Sequence, residues 1–317
     1  MAKNGQAALK PVDKLSFSYR LKTDLRRNYA LYLLIIPVIA FYIIFCYKPM
    51  YGALIAFKDY VPRRGVWGSE WVGLKWFIQF FQGQEFFRLI KNTLTISITS
   101  IVFGFPAPII LALLFNELKL IKFKSIAQTV SYLPHFVSMV VVCGLIKTFV
   151  SQGGIVLQIV TALGGKQVGL LSRPEAFVPI YVISGIWQEI GWGSIIYLAA
   201  LSSIDQELYE AARIDGANKW RQVIHITIPG ILPTIIIMLI LKMGSLLSVG
   251  YEKVILLYNP LIYETSDIIS TYTYRVGLEQ QDWSYSSAVG LLNSAINFLM
   301  VVVTNKISAK CSETSLW

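Results

Sequence analysis

Residues 208–233 read LYEAARIDGANKWRQVIHITIPGILP. Long runs of Leu, Ile, Val and Phe flank them, yet this stretch is charged, carries a paired alanine and is broken by glycine. Ser203 with Gln206 reads as a capping pair, a hydroxyl and an amide meeting free backbone donors. The residues from Gln206 to Ile214 are mostly good helix formers. Gly216 suits the left-handed turn that closes a helix. Asn218 can cap a second short helix through Lys219, Trp220 and Val223. Pro229 falls where the next apolar helix should begin, a position that needs no amide donor. The stretch therefore predicts helix, glycine turn, helix. Leu208, Ala211, Ala212 and Asp215 lie near one face of the first helix. Small alanine side chains there let another backbone approach. Two readings stand: a surface for docking a protein, and an amphipathic linker resting on a membrane.

The rest of the chain explains the flanks. Of 317 residues, 55% are apolar and only 15% charged, whereas a soluble domain carries about 25% charged residues. The apolar residues collect in runs of the roughly 20 residues that a membrane helix needs. Six spans are expected, near Tyr29–Tyr47, Asn92–Phe115, Ala127–Phe149, Val178–Ala200, Ile226–Gly250 and Ser284–Thr304. Interior Pro106, Pro108, Gly185 and Gly191 are tolerated there better than in soluble helices. No run alternates with period two over ten residues, so a β-barrel is not expected.

The net charge of +10 does not point to nucleic acid, because of where it falls. Fifteen lysines and arginines lie in the leader, in the loops after the second and fourth spans and in the tail, against eleven in the opposite loops. The positive-inside bias puts both termini and residues 208–233 in the cytoplasm of a multi-pass protein of the cell membrane. No cleavable secretory peptide is expected, since no small-x-small site follows the first run. Cys46, Cys143 and Cys311 share no spacing, and His135 and His225 are far apart, so neither a disulfide framework nor a metal site is expected. The expected organisation is a basic leader at 1–28, a first span at 29–48, an outer segment at 49–91, a five-helix core at 92–305 enclosing a loop at 203–229, and a tail at 306–317.

Three outer segments have character. In WVGLKWFIQFFQ, residues 71–82, Trp71, Leu74, Phe77, Ile78 and Phe81 fall at helical spacing, which fits an amphipathic interfacial helix or a helix packed beneath a loop. Residues 150–177 are glycine-rich and turn-like. Residues 251–283 are polar with aromatics. There is no GxxxxGK[ST] phosphate loop. If ATP drives this protein, another chain binds it.

Glu210-Ala211-Ala212, three residues, Gly216, nine residues, then Ile226-Thr227-Ile228-Pro229 resembles the EAA---G---------I-LP signature of permease subunits of binding-protein-dependent ABC importers. Ile228 stands where leucine is usual, which keeps an apolar side chain. WVGLKWF at 71–77, KNTLTIS at 91–97, PIILALLFNEL at 108–118 and YLPHFVS at 132–138 are similar to the family's carbohydrate-type members, in the family's order. GIWQEIGWGSIIYLAALSSIDQELYEAA at 185–212 looks like permeases for oligo- and polysaccharides. The resemblance implies an all-α integral membrane protein with six transmembrane helices and a MetI-like, type I ABC importer fold. It implies that Glu210, Ala211, Ala212, Asp215 and Gly216 form a coupling helix in a cleft of an ATP-binding subunit. The implied partners are a dimer of such subunits, which bind ATP and Mg, a second permease chain, usually a different one, an extracytoplasmic solute-binding protein and a carbohydrate. The chain itself is then non-catalytic, with no cofactor of its own.

Polar residues at membrane depth are costly and face a cavity or a partner. Lys147 lies near the end of its span, where it can snorkel. Glu189 and Lys242 lie deeper and are opposite in charge, so they either pair or line a passage. Trp187, Gln188 and Trp192 surround Glu189 and offer the flat rings and planar amide that sugars bind, though tryptophans also simply pack. Asn293 and Asn297, four apart, either join helices or face the passage. The rival reading is a self-contained secondary carrier or a membrane scaffold. A carrier normally shows two related halves, and no internal repeat is visible.

Overall fold

In the computed structural model, residues 23–165, 168–312 and 315 are described. Most of the basic leader and Lys166 therefore lie outside the described residues. The chain divides into two compact units, residues 1–54 and 55–317.

The first unit holds most of a helical run, α1, Tyr29–Phe57. It outruns the expected Tyr29–Tyr47 by passing through a π-helical turn at Tyr42–Tyr47 and a 3₁₀ stretch at Tyr51–Phe57. Leu33, Leu34, Ile36 and Phe45 are exposed, as suits a helix whose solvent is lipid.

Among the described residues the second unit is mostly helical, with one two-residue ladder in which β1, Lys58–Asp59, pairs antiparallel with β2, Glu70–Trp71. Besides two single-turn helices at Gly65–Gly68 and Tyr263–Ser266, its helices are α2 (Lys75–Gln82), α3 (Phe86–Glu117), α4 (Ile121–Tyr132), α5 (Met139–Val150), α6 (Ile155–Ala162), α7 (Pro174–Ser202), α8 (Gln206–Ile214), α9 (Lys219–Met243), α10 (Tyr251–Leu257), α11 (Ile269–Tyr274) and α12 (Trp283–Ser312). Among the described residues, five helical runs are long and apolar enough to cross a membrane: α1, α3, Met139–Ala162, α9 and Trp283–Lys310. The 29 residues of α7 are also long enough at about 1.5 Å per residue. Its Gln188, Glu189 and tryptophans dilute its hydropathy.

Three expectations are corrected. The third span does not run unbroken over 127–149. α4 ends at Tyr132, a 3₁₀ turn follows at Leu133–Phe136, and α5 starts afresh with Ser138 Oγ accepting from Val141 N. Pro134 brings no amide hydrogen to continue the helix. The fifth span begins at Lys219 rather than Ile226, because Lys219–Gln222 runs through a π-helical turn at Val223–Thr227 into the apolar helix. The wider turn relieves the clash that Pro229 would otherwise make with the carbonyl four residues back. The same span stops at Met243, not Gly250. Irregular backbone is tolerated in a membrane protein only where its polar groups are met. Here Ser97 Oγ donates to Leu246 O, and Asn297 Oδ1 accepts from Leu247 N at 2.9 Å. Asn297 also donates to Ser248 Oγ, so it joins elements rather than facing open space.

α2 likewise differs from the helical reading of 71–82. Trp71 sits in β2, and the buried side is Phe80, packed with Leu89, Val276, Tyr285 and Val289. Leu74, Ile78 and Phe81 stay exposed on the other side. The short α6 falls inside the segment expected to be all turn. Gly153 and Gly164 flank it at φ +82 and +88, where glycine alone is unstrained.

Three buried clusters hold the second unit. One joins α3, α5, α6, α7 and α10 through Ile96, Val142, Leu157, Phe177 and Val254. The second is that of Phe80. The third joins α3, α7 and α9 through Ala112, Tyr197, Leu201 and Ile231. α7 is central, and glycine lets its neighbours approach: a Cβ on Gly191 would stand 1.9 Å from Ser131 O, and one on Gly193 3.0 Å from Pro108 Cγ. An ionic knot pins the segment after α10 to α3. Asp267, fully buried, accepts from Arg275 at 2.7 and 3.2 Å and from Arg88 at 3.4 Å, while Asn92 donates to its backbone carbonyl at 2.9 Å. Burial alone would lower the Arg275 pKa, but the Asp267 carboxylate beside it more than reverses this and holds the guanidinium charged.

Candidate functional site

The loop between α7 and α9 is built as a rigid, protruding lever. Its cap is Asp205, not Ser203: Asp205 Oδ1 accepts from Glu207 N at 3.0 Å, while Ser203 Oγ donates back to Ala200 O. Aspartate at an N-cap also places negative charge at the positive end of the helix. α8 closes at Gly216, φ +74, with Ala217 N donating to Ala212 O at 2.8 Å. This is the glycine-closed helix end expected from the sequence. Asn218 Oδ1 then accepts from Arg221 N and starts α9, so there is no separate second short helix.

Two side-chain contacts tie the lever to the spans. Tyr209 OH meets Thr227 Oγ1 at 3.0 Å, and Lys219 Nζ meets Glu117 at the end of α3 at 2.8 Å. Tyr209 also packs on the cluster of Ala112, Tyr197 and Ile231. Beyond these anchors the loop is bare. Glu210, Ala211, Asp215 and Gly216 are exposed and Ala212 is half-buried. Large apolar side chains stand out in the same loop: Leu208, Trp220 and Ile214, the last 87% exposed.

The second feature is a cavity of about 560 Å³ between α3, α7, the end of α9 and α10. Its wall includes Ser97, Gln188, Glu189, Lys242, Glu252 and Lys253. α3 reaches it through a π-helical turn, Ser100–Gly104, directly before Pro106 and Pro108. A π-turn inside a helix frequently marks a functional site.

Gln188, Glu189 and Lys242 are thus brought to one cavity. Trp187, Trp192 and Asn293 are not part of its wall. Trp187 is exposed, and Asn293 is half-buried on α12 with its Oδ1 buried and unbonded. Glu189 and Lys242 do not pair. The carboxylate of Glu189 instead accepts from His135 Nδ1 at 2.9 Å. His135 stacks flat on Trp192, with ring centroids 4.5 Å apart. Lys147 is exposed on α5, as snorkelling requires. Sequence reading missed His135, whose contact spans 54 positions, and Lys253, which sits in a segment read only as polar loop. Among the described residues no three His, Cys, Asp or Glu side chains converge as metal ligands.

A membrane-spanning helical body, a capped lever between its fourth and fifth spans and a half-open cavity that sets a few charged and polar side chains in a mostly apolar wall define a transport permease. The chain belongs to the family of binding-protein-dependent transport system inner membrane components, which it matches over residues 93–311. It is 45% identical to protein LplB of Bacillus subtilis, with 92% of each chain covered. It is 42% identical to the polygalacturonan/rhamnogalacturonan transport system permease protein YteP of the same species, over 99% of this chain and 100% of that one. A solved bacterial alginate ABC transporter, in complex with an alginate pentasaccharide-bound periplasmic protein, contains a chain similar to this one. The identity is 43% and the TM-score 0.86, covering 94% of this chain and 100% of that chain. The protein is therefore a multi-pass permease subunit of a binding-protein-dependent transport system.

Proposed function

We propose that this permease imports a carbohydrate, an oligo- or polysaccharide, with energy from ATP hydrolysed by a dimer of separate ATP-binding subunits. A second permease chain completes the membrane body, and an extracytoplasmic binding protein delivers the sugar. Both termini and the α7–α9 loop face the cytoplasm, a reading supported by the bias of positive charge. The relatives named for polygalacturonan/rhamnogalacturonan and alginate support the cargo class.

The observation that carries the coupling role is the lever. Glu210, Ala211, Ala212, Asp215 and Gly216 meet the ATP-binding subunit, and the exposed Leu208, Ile214 and Trp220 give that contact apolar area. Closure of the ATPase dimer pushes α8. The Tyr209–Thr227 and Lys219–Glu117 contacts pass the push to α9 and α3. Those helices wall the cavity, so their displacement opens it to one side of the membrane and then the other, the two packings being a bistable element. ATP and Mg belong to the partner subunits. The family's permeases hold no hydrolytic role in this scheme.

Gly216→Val tests the coupling contact. No neighbour lies within 4 Å of a Cβ there, so the damage comes from φ +74 alone, a left-handed conformation that costs a branched residue about 1–2 kcal/mol. The variant should insert in the membrane in native amount yet capture about tenfold less of the ATP-binding subunit on co-purification. Native capture overturns the docking role of the loop.

A further inference from the structure

Lys253 is a buried cation without a counter-ion. It is 4% exposed, on α10, and reaches back to α7. Its Nζ donates to Tyr181 O at 3.0 Å and lies 4.8 Å from the centre of the Tyr181 ring. Neither is a counter-ion, and among the described residues no carboxylate comes within 4.0 Å of it. An ammonium offers three donors, and this one spends one on a carbonyl. Burial brings its pKa down to about 8, which leaves it charged at neutral pH.

The ammonium is on the cavity wall beside Gly185 of α7, where a Cβ would rest against it, 3.4 Å from Nζ. Four charged side chains face this cavity. Lys242 is a second cation, exposed and likewise without a carboxylate partner. Of the two anions, Glu189 is held by His135 and 54% exposed, and Glu252 is exposed. Glu189 attracts the ammonium, but from a solvated position, and offsets its burial only in part. A buried charge is costly unless paired, so the missing partner of Lys253 is an anion that enters the cavity. The other lining side chains say what carries it. Ser97, Ser100, Gln188, Ser245 and Ser248 share the wall of about 560 Å³ with Phe105, Met139, Ile186 and other apolar side chains, a space far larger than an inorganic ion that offers apolar faces to the C–H side of a sugar ring and scattered polar groups to its hydroxyls.

We propose that Lys253, assisted by Lys242, binds the carboxylate of a uronic acid residue in transit, so that the cargo of this importer is an acidic oligosaccharide. This rests on the carbohydrate reading above. A charge-assisted hydrogen bond contributes about 1.5–3 kcal/mol, which corresponds to roughly tenfold or more in affinity or rate.

The test uses the complete importer in proteoliposomes with its own binding protein. The probes are trigalacturonate and trimannuronate, their methyl esters, which lose the charge and gain only a methyl group on each carboxyl, and neutral maltotriose and xylotriose. The native complex should import at least one acidic trisaccharide and its ester roughly tenfold more slowly. Lys253→Met should cut acidic uptake about tenfold with native complex yield, and Lys253→Arg should restore most of it. If Lys253→Met is not recovered from the membrane, Lys242→Met carries the test, because that residue is exposed. It should cost about threefold or more in acidic uptake, and native uptake in it overturns the two-lysine site. Import of neutral trisaccharides or esters alone overturns the acidic cargo but leaves the carbohydrate importer standing. Acidic uptake unchanged in Lys253→Met overturns the site. Failure to import any carbohydrate overturns the importer reading, and this proposal with it.

Discussion

The carboxylate of Glu189 and the imidazole of His135 lie 2.9 Å apart, and Trp192 braces the imidazole from the other side. The three side chains therefore clamp the 3₁₀ turn at Leu133–Phe136 against α7. Residues that share a contact are non-additive by about 0.5–3 kcal/mol, whereas unconnected ones add to within roughly 0.3–0.5. A double-mutant cycle of His135→Ala with Glu189→Ala, read by thermal unfolding of the purified complex, should fall in the first range. The same cycle between Glu189 and Lys242 should fall in the second. Coupling of Glu189 to Lys242 and none to His135 would reverse the assignment. Sequence could find Glu189 and Lys242, because charge in an apolar run is conspicuous, but not their partners. Periodicity relates residues three or four apart. It is silent on a histidine 54 positions away, and on Lys253 in a segment with no period at all. The loop was the reverse case. Gly216 and Asn218 act within one turn of their own position, so their geometry was legible, and only the choice of Asp205 over Ser203 as cap was not.

Among the helices, α7 sets the packing. Gly191→Ala would put a methyl group 1.9 Å from Ser131 O, a backbone atom that cannot swing aside. Overpacking of this kind costs about 1–3 kcal/mol. Gly290→Ala on α12 meets nothing within 4 Å, and alanine favours a helix over glycine by up to about 1 kcal/mol. Thermal unfolding should therefore fall for Gly191→Ala and hold or rise for Gly290→Ala. Equal behaviour of the two would mean that α4 and α7 do not meet this closely. Helix existence followed from apolar length, since nothing but lipid demands so long a run. Helix ends did not. α9 is lengthened at one end by a π-turn that absorbs Pro229, and cut short at the other by Ser97 and Asn297 satisfying the freed backbone. Both depend on tertiary partners.

At the scale of the whole molecule the proposed importer is vectorial, which requires the lever on one face of the membrane and the loops after α10 on the other. Lys219→Cys should react with an impermeant thiol reagent only after permeabilisation, and Leu261→Cys, at a strongly exposed position, in intact cells. The opposite pattern would put α8 on the wrong side for a cytoplasmic ATPase. A carrier that works alone would draw on an ion gradient, and a scaffold would move nothing. Uptake of labelled oligosaccharide into proteoliposomes separates these most directly, with the chain reconstituted alone or with its second permease, ATP-binding subunits and binding protein. Uptake should occur only with all partners and ATP, and not by the chain alone under a proton or sodium gradient. Gradient-driven uptake by the chain alone, or undiminished uptake by the complex without ATP, would contradict the importer reading.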